Sequence, residues 1–593
     1  MPLFRPAGDS GVYVFFDQEI SPEVSRQVLA FAAAVDEAAL PGVIEVVPAY
    51  ASALVYFDPA VVGREELVGA LGGIAGKGSA VASLPPARHV EIPVCYGAEL
   101  GPDLPEVARY AGVSENEVID LHSARQYLVY CLGFAPGFAF MGTVDERIAI
   151  GRLSTPRAAV PAGSVGIAGW QTGVYPVTTP GGWRIIGRTP IGLFSDRGDA
   201  GESQVLLRPG DQVSFLPVSE AEFERLRGAG AEAARVMTQP TQPAGDIEVV
   251  SAGALTTVQD EGRTGWQRYG FAPNGPCDAG SFRLANSLVG NPPGKPGAAA
   301  LECTMKGPTL RFHSRAVVAV TGADMSPRLN GEPFPMWQAR VVAPGDVLAL
   351  GPVAPARGGL RAYIAVRGGI GVPSVLGSRA TDLVAGFGGL EGRALRRGDL
   401  LPMLPTSPVG KMATAEPANG AVLGPAGAGV TNDPLVLRLL NGPDSSLFAE
   451  GDLEEFLEAT FRVSRILNRS GVRLEAGPRP STVELSATRP AHVISKPMPL
   501  GSVQLPPDGK PIVLLAARPT LGGYPVIGFV PETDVNRLAQ AGPGTLVRFA
   551  LSERQNAFSG AIHELLAAFG RWPDLAELSL SDDRTGTRIR LVR

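Results

Sequence analysis

Three short elements recur in the same order in the two halves of this 593-residue chain. Around Gly163 the sequence reads PAGSVGIAG, then PGGWRIIG at 180–187, then LRPGDQVSF at 207–215. Around Gly501 it reads PLGSVQLPP, then LGGYPVIG at 521–528, then AGPGTLVRF at 541–549. A Pro-Gly turn that feeds alternating apolar residues is a tight turn before a half-buried strand. One such turn can match by chance, but an ordered triple cannot. The period is far longer than a solenoid repeat, so it signals domain duplication. Two related β-barrel domains are expected, one in each half, facing each other across a pseudo-symmetric cleft. Two more Gly-Asp turns, VAPGDVLAL at 342–350 and LRRGDLLPM at 395–403, echo the last element.

Composition agrees with a turn-rich β protein. Gly 74 and Pro 54 make about 22% of the chain, between the ordinary level of roughly 12% and the 25–30% of low-complexity sequence. Apolar residues at 45% leave ample core material. The fold class read here is mainly β with α. Charged residues are only 19%, with a net charge of -6, so no nucleic-acid partner is expected. No apolar run reaches the ~18 residues of a membrane span, and Met1 to Phe16, with Arg5 and Asp9, has no signal-peptide pattern. Cys95, Cys131, Cys277 and Cys303 form no CxxC pair and read as free thiols. A soluble cytoplasmic protein that self-associates is the expectation.

Along the chain, residues 1–86 read as a small α/β domain, with strands at 11–16 and 53–57 and helices at 23–40 and 64–71. It closes at Leu84-Pro85-Pro86. Residues 87–235 read as a β-barrel with one helical stretch at 105–126, where Ser114 and Glu117 form a capping-box pattern. A second helix is expected at 219–237. The Pro-rich TQPTQPAG at 238–245 marks a linker over 236–246. After it come a β-barrel at 247–404, a loose stretch at 405–433, and a second barrel at 434–593.

Several chemistries are missing. No P-loop, nucleophile elbow, His pair at ligand spacing, amidase signature or biotin-acceptor Met-Lys-Met occurs, and no metal site is expected. What is present is donor-rich. His122 precedes GFAPGF at 133–138. Arg157, Gln171, Tyr175, Trp183, Arg188 and Thr189 lie among glycines that let backbone approach a ligand. The C-terminal half contributes Gln259, Asp260, Arg263, Asp278, Glu302, Arg379, Thr381, Asn468, Arg473, Gln504 and Tyr524. Its Gly-rich loop at 386–393 is a candidate phosphate cradle. Glycines and arginines of this kind also punctuate ordinary β domains, and a lone His is more often a satisfied core residue than a base. Both readings stand at this point.

Longer strings are more specific. VPAYASALVYFDP, YLVYCLGFAPGFAFMG and TPRAAVPAGSVGIAGWQTGVYPVTTPGGWRIIGRTP resemble the Kip-inhibitor-like family, also called allophanate hydrolase subunit 1 or the B-type subunit of 5-oxoprolinase. TTVQDEGRTG, LANSLVGN, AYIAVRGGIGVPSVLGSRAT and LGGYPVIG resemble the Kip-antagonist-like family, called allophanate hydrolase subunit 2, the C-type subunit of 5-oxoprolinase or the biotin-dependent carboxyltransferase family. The two are fused here. The resemblance implies tandem cyclophilin-like β-barrel domains. It also implies the B/C component of an ATP-dependent lactam hydrolase that opens 5-oxoproline to glutamate with a separate A-type subunit, using ATP with Mg2+. The alternatives are a carboxyltransferase served by biotin on a separate carrier protein, and a non-catalytic kinase-binding regulator. Two stretches depart from the family pattern. Asn274-Gly-Pro-Cys-Asp278 stands for Ser-Gly-Ala-Met-Asp, and Ala516-Ala517-Arg518-Pro519-Thr520 lacks an acidic residue and a Gln.

On this reading Arg157, Gln171, Arg188 and Arg379 are ligands for an anion or phosphate of a small amide substrate. Tyr175, Trp183, Thr189, Gln259, Arg263, Thr381, Asn468, Arg473, Gln504 and Tyr524 are further binding candidates. Asp260 and Asp278 are candidates for proton transfer or a metal, and His122 is a weaker candidate base.

Overall fold

The computed structural model describes residues 2–76, 87–194, 205–236, 245–294, 297–353, 358–405, 414–417, 433–448, 450–479, 493–552, 577–582 and 587–592. Most of the linker expected at 236–246 and most of the loose stretch at 405–433 lie outside the described residues.

The N-terminal domain is an antiparallel sheet in the order Leu3–Pro6, Gly11–Phe15, Ser52–Phe57, Val43–Pro48, covered by helices Pro22–Ala38 and Arg64–Gly76. The first helix starts where it does because Ser21 Oγ accepts the Val24 N–H at 3.2 Å, a cap worth ~1 kcal/mol. Strand alternation gives the sheet two apolar faces. Val12, Val14, Val46 and Val55 pack under the helices. Tyr13, Val47, Leu54 and Tyr56 point the other way, onto Met498, Leu514, Val526 and Phe529 of the last domain. This small domain is therefore held between its own helices and a barrel far away in sequence.

The two barrels share one circuit. The first runs His89–Tyr96, Arg184–Arg188, Ser164–Ala168, Gln171–Val174, Ala139–Gly142, Gln126–Leu132 and Gln212–Pro217. The second runs Leu435–Asn441, Val526–Phe529, Ser502–Gln504, Ile512–Leu514, Gly471–Ala476, Phe461–Leu467 and Leu546–Leu551. Each is closed by a parallel pairing of its first and last strands. The recurring sequence elements occupy equivalent strands in the two circuits, so the repeat is a repeat of topology.

Two expectations change. The helical stretch at 105–126 is two helices, Leu104–Ala111 and Glu115–Ser123. Gly112 ends the first in a left-handed conformation, φ 70°, and Ser114 Oγ caps the second through the Glu117 N–H. Residues 247–404, expected as a barrel, form a six-stranded and a five-stranded sheet. Among the described residues the outer strands of these sheets do not pair, so neither closes. Val249 and Leu310 of one sheet share a core with Leu301, Val318 and Ile364 of the other, which is sandwich packing. Phe271, Leu376 and Phe387 of this sandwich are built into the core of the first barrel. No helix among the described residues is long and apolar enough to cross a membrane.

Candidate functional site

A cavity of about 190 Å³ opens where the N-terminal domain, the sandwich and the second barrel meet. Asp9, Glu45 and Tyr56 come from the first, Glu261, Arg263, Gln267, Asn274, Cys277 and Arg283 from the second, and Arg518 and Glu532 from the third. Three distant stretches thus converge because the N-terminal sheet offers its second apolar face to the barrel.

Charge is unevenly settled around this cavity. Arg283 is fully engaged, with Glu261 on two nitrogens and Glu532 at 2.9 Å. These partners hold its guanidinium well above the ordinary arginine range despite burial. Glu45 accepts the N–H groups of Gly265 at 3.0 Å and Arg268 at 3.2 Å and the Gln267 amide at 3.1 Å. Burial raises its carboxyl above the usual range, with those donors opposing. Arg263 and Arg518 differ. They are 1% and 6% exposed, and among the described residues neither has a carboxylate oxygen within 4.0 Å. Arg263 donates to Ala380 O and lies 4.5 Å over the Phe387 ring, leaving Nε and Nη1 without a partner. Burial lowers its pKa, with Asp382 and Asp260 opposing. Arg518 donates to Met498 O at 2.8 Å and reaches Gln267 Oε1 at 3.4 Å. Asn274 turns its Nδ2 to Asp382 at 2.9 Å and leaves Oδ1 unpartnered. A buried guanidinium without a countercharge costs several kcal/mol, ~3–5 when a partner is lost. Two such guanidiniums line one cavity and could pair with an anion there, and Asn274 Oδ1 could receive an N–H.

Sequence expectations for the C-terminal half are partly gathered here. Gln259, Asp260, Arg263, Arg379 and Thr381 come together beside the cavity. Gln259 Nε2 bonds Thr257 and Thr381 O, Thr381 Oγ1 bonds Val258 O, and Gln259 Oε1 is unpartnered. Asp260 accepts from Gly262 N at 2.9 Å, Ser378 Oγ at 2.6 Å and Arg379 N. Its lone pairs are spent holding a turn, which does not suit metal binding or proton transfer. Asp278 likewise caps helix Ala279–Leu288 through Ser281 and ties it to Gln540 at 2.7 Å. Five of the eight N–H groups of the loop at 386–393, read as a candidate phosphate cradle, are already engaged. The N–H groups of Gly386, Phe387, Gly389, Gly392 and Arg393 all bond backbone carbonyls. Gly388 is required for another reason, since a Cβ there would lie 2.3 Å from Arg263 Nη2. Asn468 caps its own turn, Arg473 faces Asp508 at 3.4 Å on the surface, and Gln504 sits in the barrel wall against Met498. Tyr524 is half-buried just beyond strand Leu521–Gly522.

Among candidates from the N-terminal half, Gln171, Tyr175 and Trp183 gather around one aromatic cluster with Tyr50. Arg157 reaches it through Trp183 O at 3.5 Å, but this group does not line the cavity. Arg157 pairs with Asp103 at 2.6 Å, Arg188 Nε bonds Ala162 O at 2.8 Å, and Thr189 Oγ1 caps Ile191 N. Gln171 bonds Tyr50, while Tyr175 and Trp183 lie in an aromatic cluster with Phe138. Burial pushes the Tyr175 hydroxyl up to about 12. His122 is a core residue. It stacks on Phe215 at 4.7 Å, with Nδ1 2.8 Å from Tyr96 Oη and Nε2 2.8 Å from Thr172 Oγ1. Thr172 donates its own proton to Gly166 O, so the chain of bonds assigns the neutral Nε2–H form. That geometry leaves no nitrogen for a substrate.

The chain matches two family descriptions. Residues 2–203 match the carboxyltransferase domain, subdomain C and D, and residues 269–551 match its subdomain A and B. It is 45% identical over 230 residues to the B-type subunit of 5-oxoprolinase from Bacillus subtilis (strain 168), covering 36% of this chain and 92% of that protein. It is 34% identical over 316 residues to the C-type subunit of 5-oxoprolinase from Escherichia coli (strain K12), covering 52% of this chain and 93% of that protein. The chain belongs to this family, with B-type and C-type parts in one polypeptide. A crystal structure of TTHA0988 superposes with a TM-score of 0.74 at 35% identity, covering 92% of this chain and all of that one. Urea amidolyase of Lachancea kluyveri is 36% identical over 315 residues, covering 51% of this chain but only 17% of that protein.

Within the fused chain the cavity draws on both parts. Sequence reading singled out Arg263 but not Arg518, Gln267, Asn274 or Glu45. The stretch 516–520, read as lacking the family's acidic residue and Gln, delivers Arg518 to the cavity. Its signal was present: one arginine interrupting an apolar run just before a proline.

Proposed function

We propose that this chain is the fused B/C component of an ATP-dependent 5-oxoprolinase, opening the lactam of 5-oxoproline to glutamate with a separate A-type subunit. The observation that carries this reading is coverage: one chain spans 92% of a B-type subunit and 93% of a C-type subunit. The cavity supports it, because a lactam acid offers a carboxylate for Arg263 and Arg518 and an N–H for Asn274 Oδ1.

An unstrained five-membered lactam resists water. ATP with Mg2+ would supply a phosphoryl group to the amide oxygen, activating the carbonyl carbon to water. The C–N bond then breaks with the ring nitrogen leaving as the amine, and the phosphoryl group departs as inorganic phosphate. This reading places the nucleotide on the A-type subunit. The residues of this chain then bind the carboxylate, orient the ring and hold fixed positive charge near the developing anion. The family description favours a second reading, carboxyl transfer from biotin on a separate carrier.

The test is ADP release and glutamate formation by the purified chain with 5-oxoproline, with and without a purified A-type subunit. Both products, only when both proteins are present, are expected. No ADP in any combination would sink this reading and direct the next assay to carboxybiotin and urea.

A further inference from the structure

Arg518 is surrounded by neutral partners: Met498 O, Gln267 Oε1 and the Tyr56 hydroxyl. The carboxylate that would most simply neutralise it, Glu45, is one side chain away. Gln267 stands between them, its Nε2 donating to Glu45 Oε2 at 3.1 Å and its Oε1 toward Arg518 at 3.4 Å. Every other carboxylate lining the cavity is committed elsewhere. Glu261 and Glu532 hold Arg283, and Asp9 Oδ2 accepts the Glu532 N–H at 2.8 Å. The relay also crosses all three domains, Glu45 from the N-terminal sheet, Gln267 from the sandwich segment and Arg518 from the second barrel.

We infer that Gln267 is the specificity-determining residue of this cavity, a neutral spacer that keeps Glu45 off Arg518 so that a carboxylate-bearing ligand supplies the missing countercharge. A side-chain amide suits this task. Its carbonyl end satisfies one guanidinium N–H and its NH2 end satisfies the glutamate, so both neighbours stay hydrogen-bonded while the charge on Arg518 stays uncancelled. A carboxylate here would close an internal ion pair and remove the site's preference for anions. The ligand class follows: a small monoanion whose carboxylate meets Arg518 and Arg263, in preference to a neutral amide of the same ring. This inference rests on the cavity being the substrate site of the proposed lactam hydrolase.

The probes are 5-oxoproline and pyrrolidin-2-one, the same lactam without its carboxylate. Binding to the full chain, alone and with the A-type subunit, is read by calorimetry, separately from ADP release. Wild type is expected to prefer 5-oxoproline by at least tenfold. The double variant Glu45→Gln/Gln267→Glu moves the negative charge one side chain toward Arg518, and 5-oxoproline affinity should fall at least tenfold while pyrrolidin-2-one binding holds. Should that variant not fold, Arg518→Met removes the cation with an apolar side chain that a core tolerates, and the preference should collapse toward unity. A preference that survives in either folded variant overturns the inference, as does its absence in wild type. Carboxylate preference without ADP release would leave the inference standing and remove the 5-oxoprolinase reading. ADP release with unchanged preference in the variants would do the reverse.

Discussion

Burial and hydrogen bonding decide the protonation state of His122 together. Desolvation lowers its pKa to about 3, and Tyr96, Thr172 and Phe215 leave no room for a counterion. The unfolded chain takes up a proton near pH 6.5 and the folded chain does not. Stability from this residue is therefore complete above about pH 6.5 and is lost progressively as pH falls toward 3. Replacing His122 by Gln should flatten the Tm–pH slope across that window, measured by thermal unfolding from about pH 7.5 to about pH 4. An unchanged slope would mean that other groups carry the acid sensitivity. The residue was legible in the sequence only as a type. Whether it was a base or a core member depended on which strands closed around it.

At the scale of elements, the GFAPGF loop shows how a glycine motif changes meaning in three dimensions. Gly133 faces Leu521 of the second barrel, where a Cβ would lie 2.4 Å from the leucine side chain. Gly137 N–H bonds Tyr269 O at 2.9 Å. These glycines admit another domain, not a ligand. Gly133→Ala should destabilise by about 1–3 kcal/mol through overpacking. In Gly133→Ala/Leu521→Ala the two nearest colliding atoms, Leu521 Cγ and Cδ1, are gone and only the Cβ contact at 2.8 Å remains, so the two substitutions should be non-additive by ~1 kcal/mol or more. Denaturant unfolding of the four proteins in the cycle checks this, and simple additivity would refute the contact. The same logic explains the Gly-rich 386–393 loop, five of whose eight N–H groups bond backbone carbonyls while Gly388 gives way to Arg263.

Across the whole molecule, the two parts share apolar core among the described residues. Phe271 is fully buried and packs with Phe194 at 5.4 Å and Phe387 at 5.7 Å, linking sandwich to first barrel. The N-terminal sheet completes the join on the other side through Tyr13, Leu54 and Phe529. Phe271→Ala should cost about 3–5 kcal/mol. Because the loss falls on an inter-domain contact, calorimetry should show one melting transition separating into two. A single transition shifted as a unit would mean that the remaining contacts keep the domains cooperative.

Turn chemistry and strand alternation are local and recur in order, so the duplicated barrels were readable from the order of amino acids alone. The family was readable too, through long strings such as TTVQDEGRTG. Arg263 stood among the candidate ligands but could not be ranked above Arg157 or Arg188, since a pattern does not say which guanidinium has a partner. Closure was misread: the strands of 247–404 alternate like those of a barrel and were expected as one, yet the described residues pair into two open sheets. The site belongs wholly to tertiary structure. Glu45, Gln267 and Arg518 lie far apart in the chain, and the N-terminal sheet brings them together because alternation gives it a second apolar face to bury. Charge balance is a property of neighbours in space, and folding chooses those neighbours.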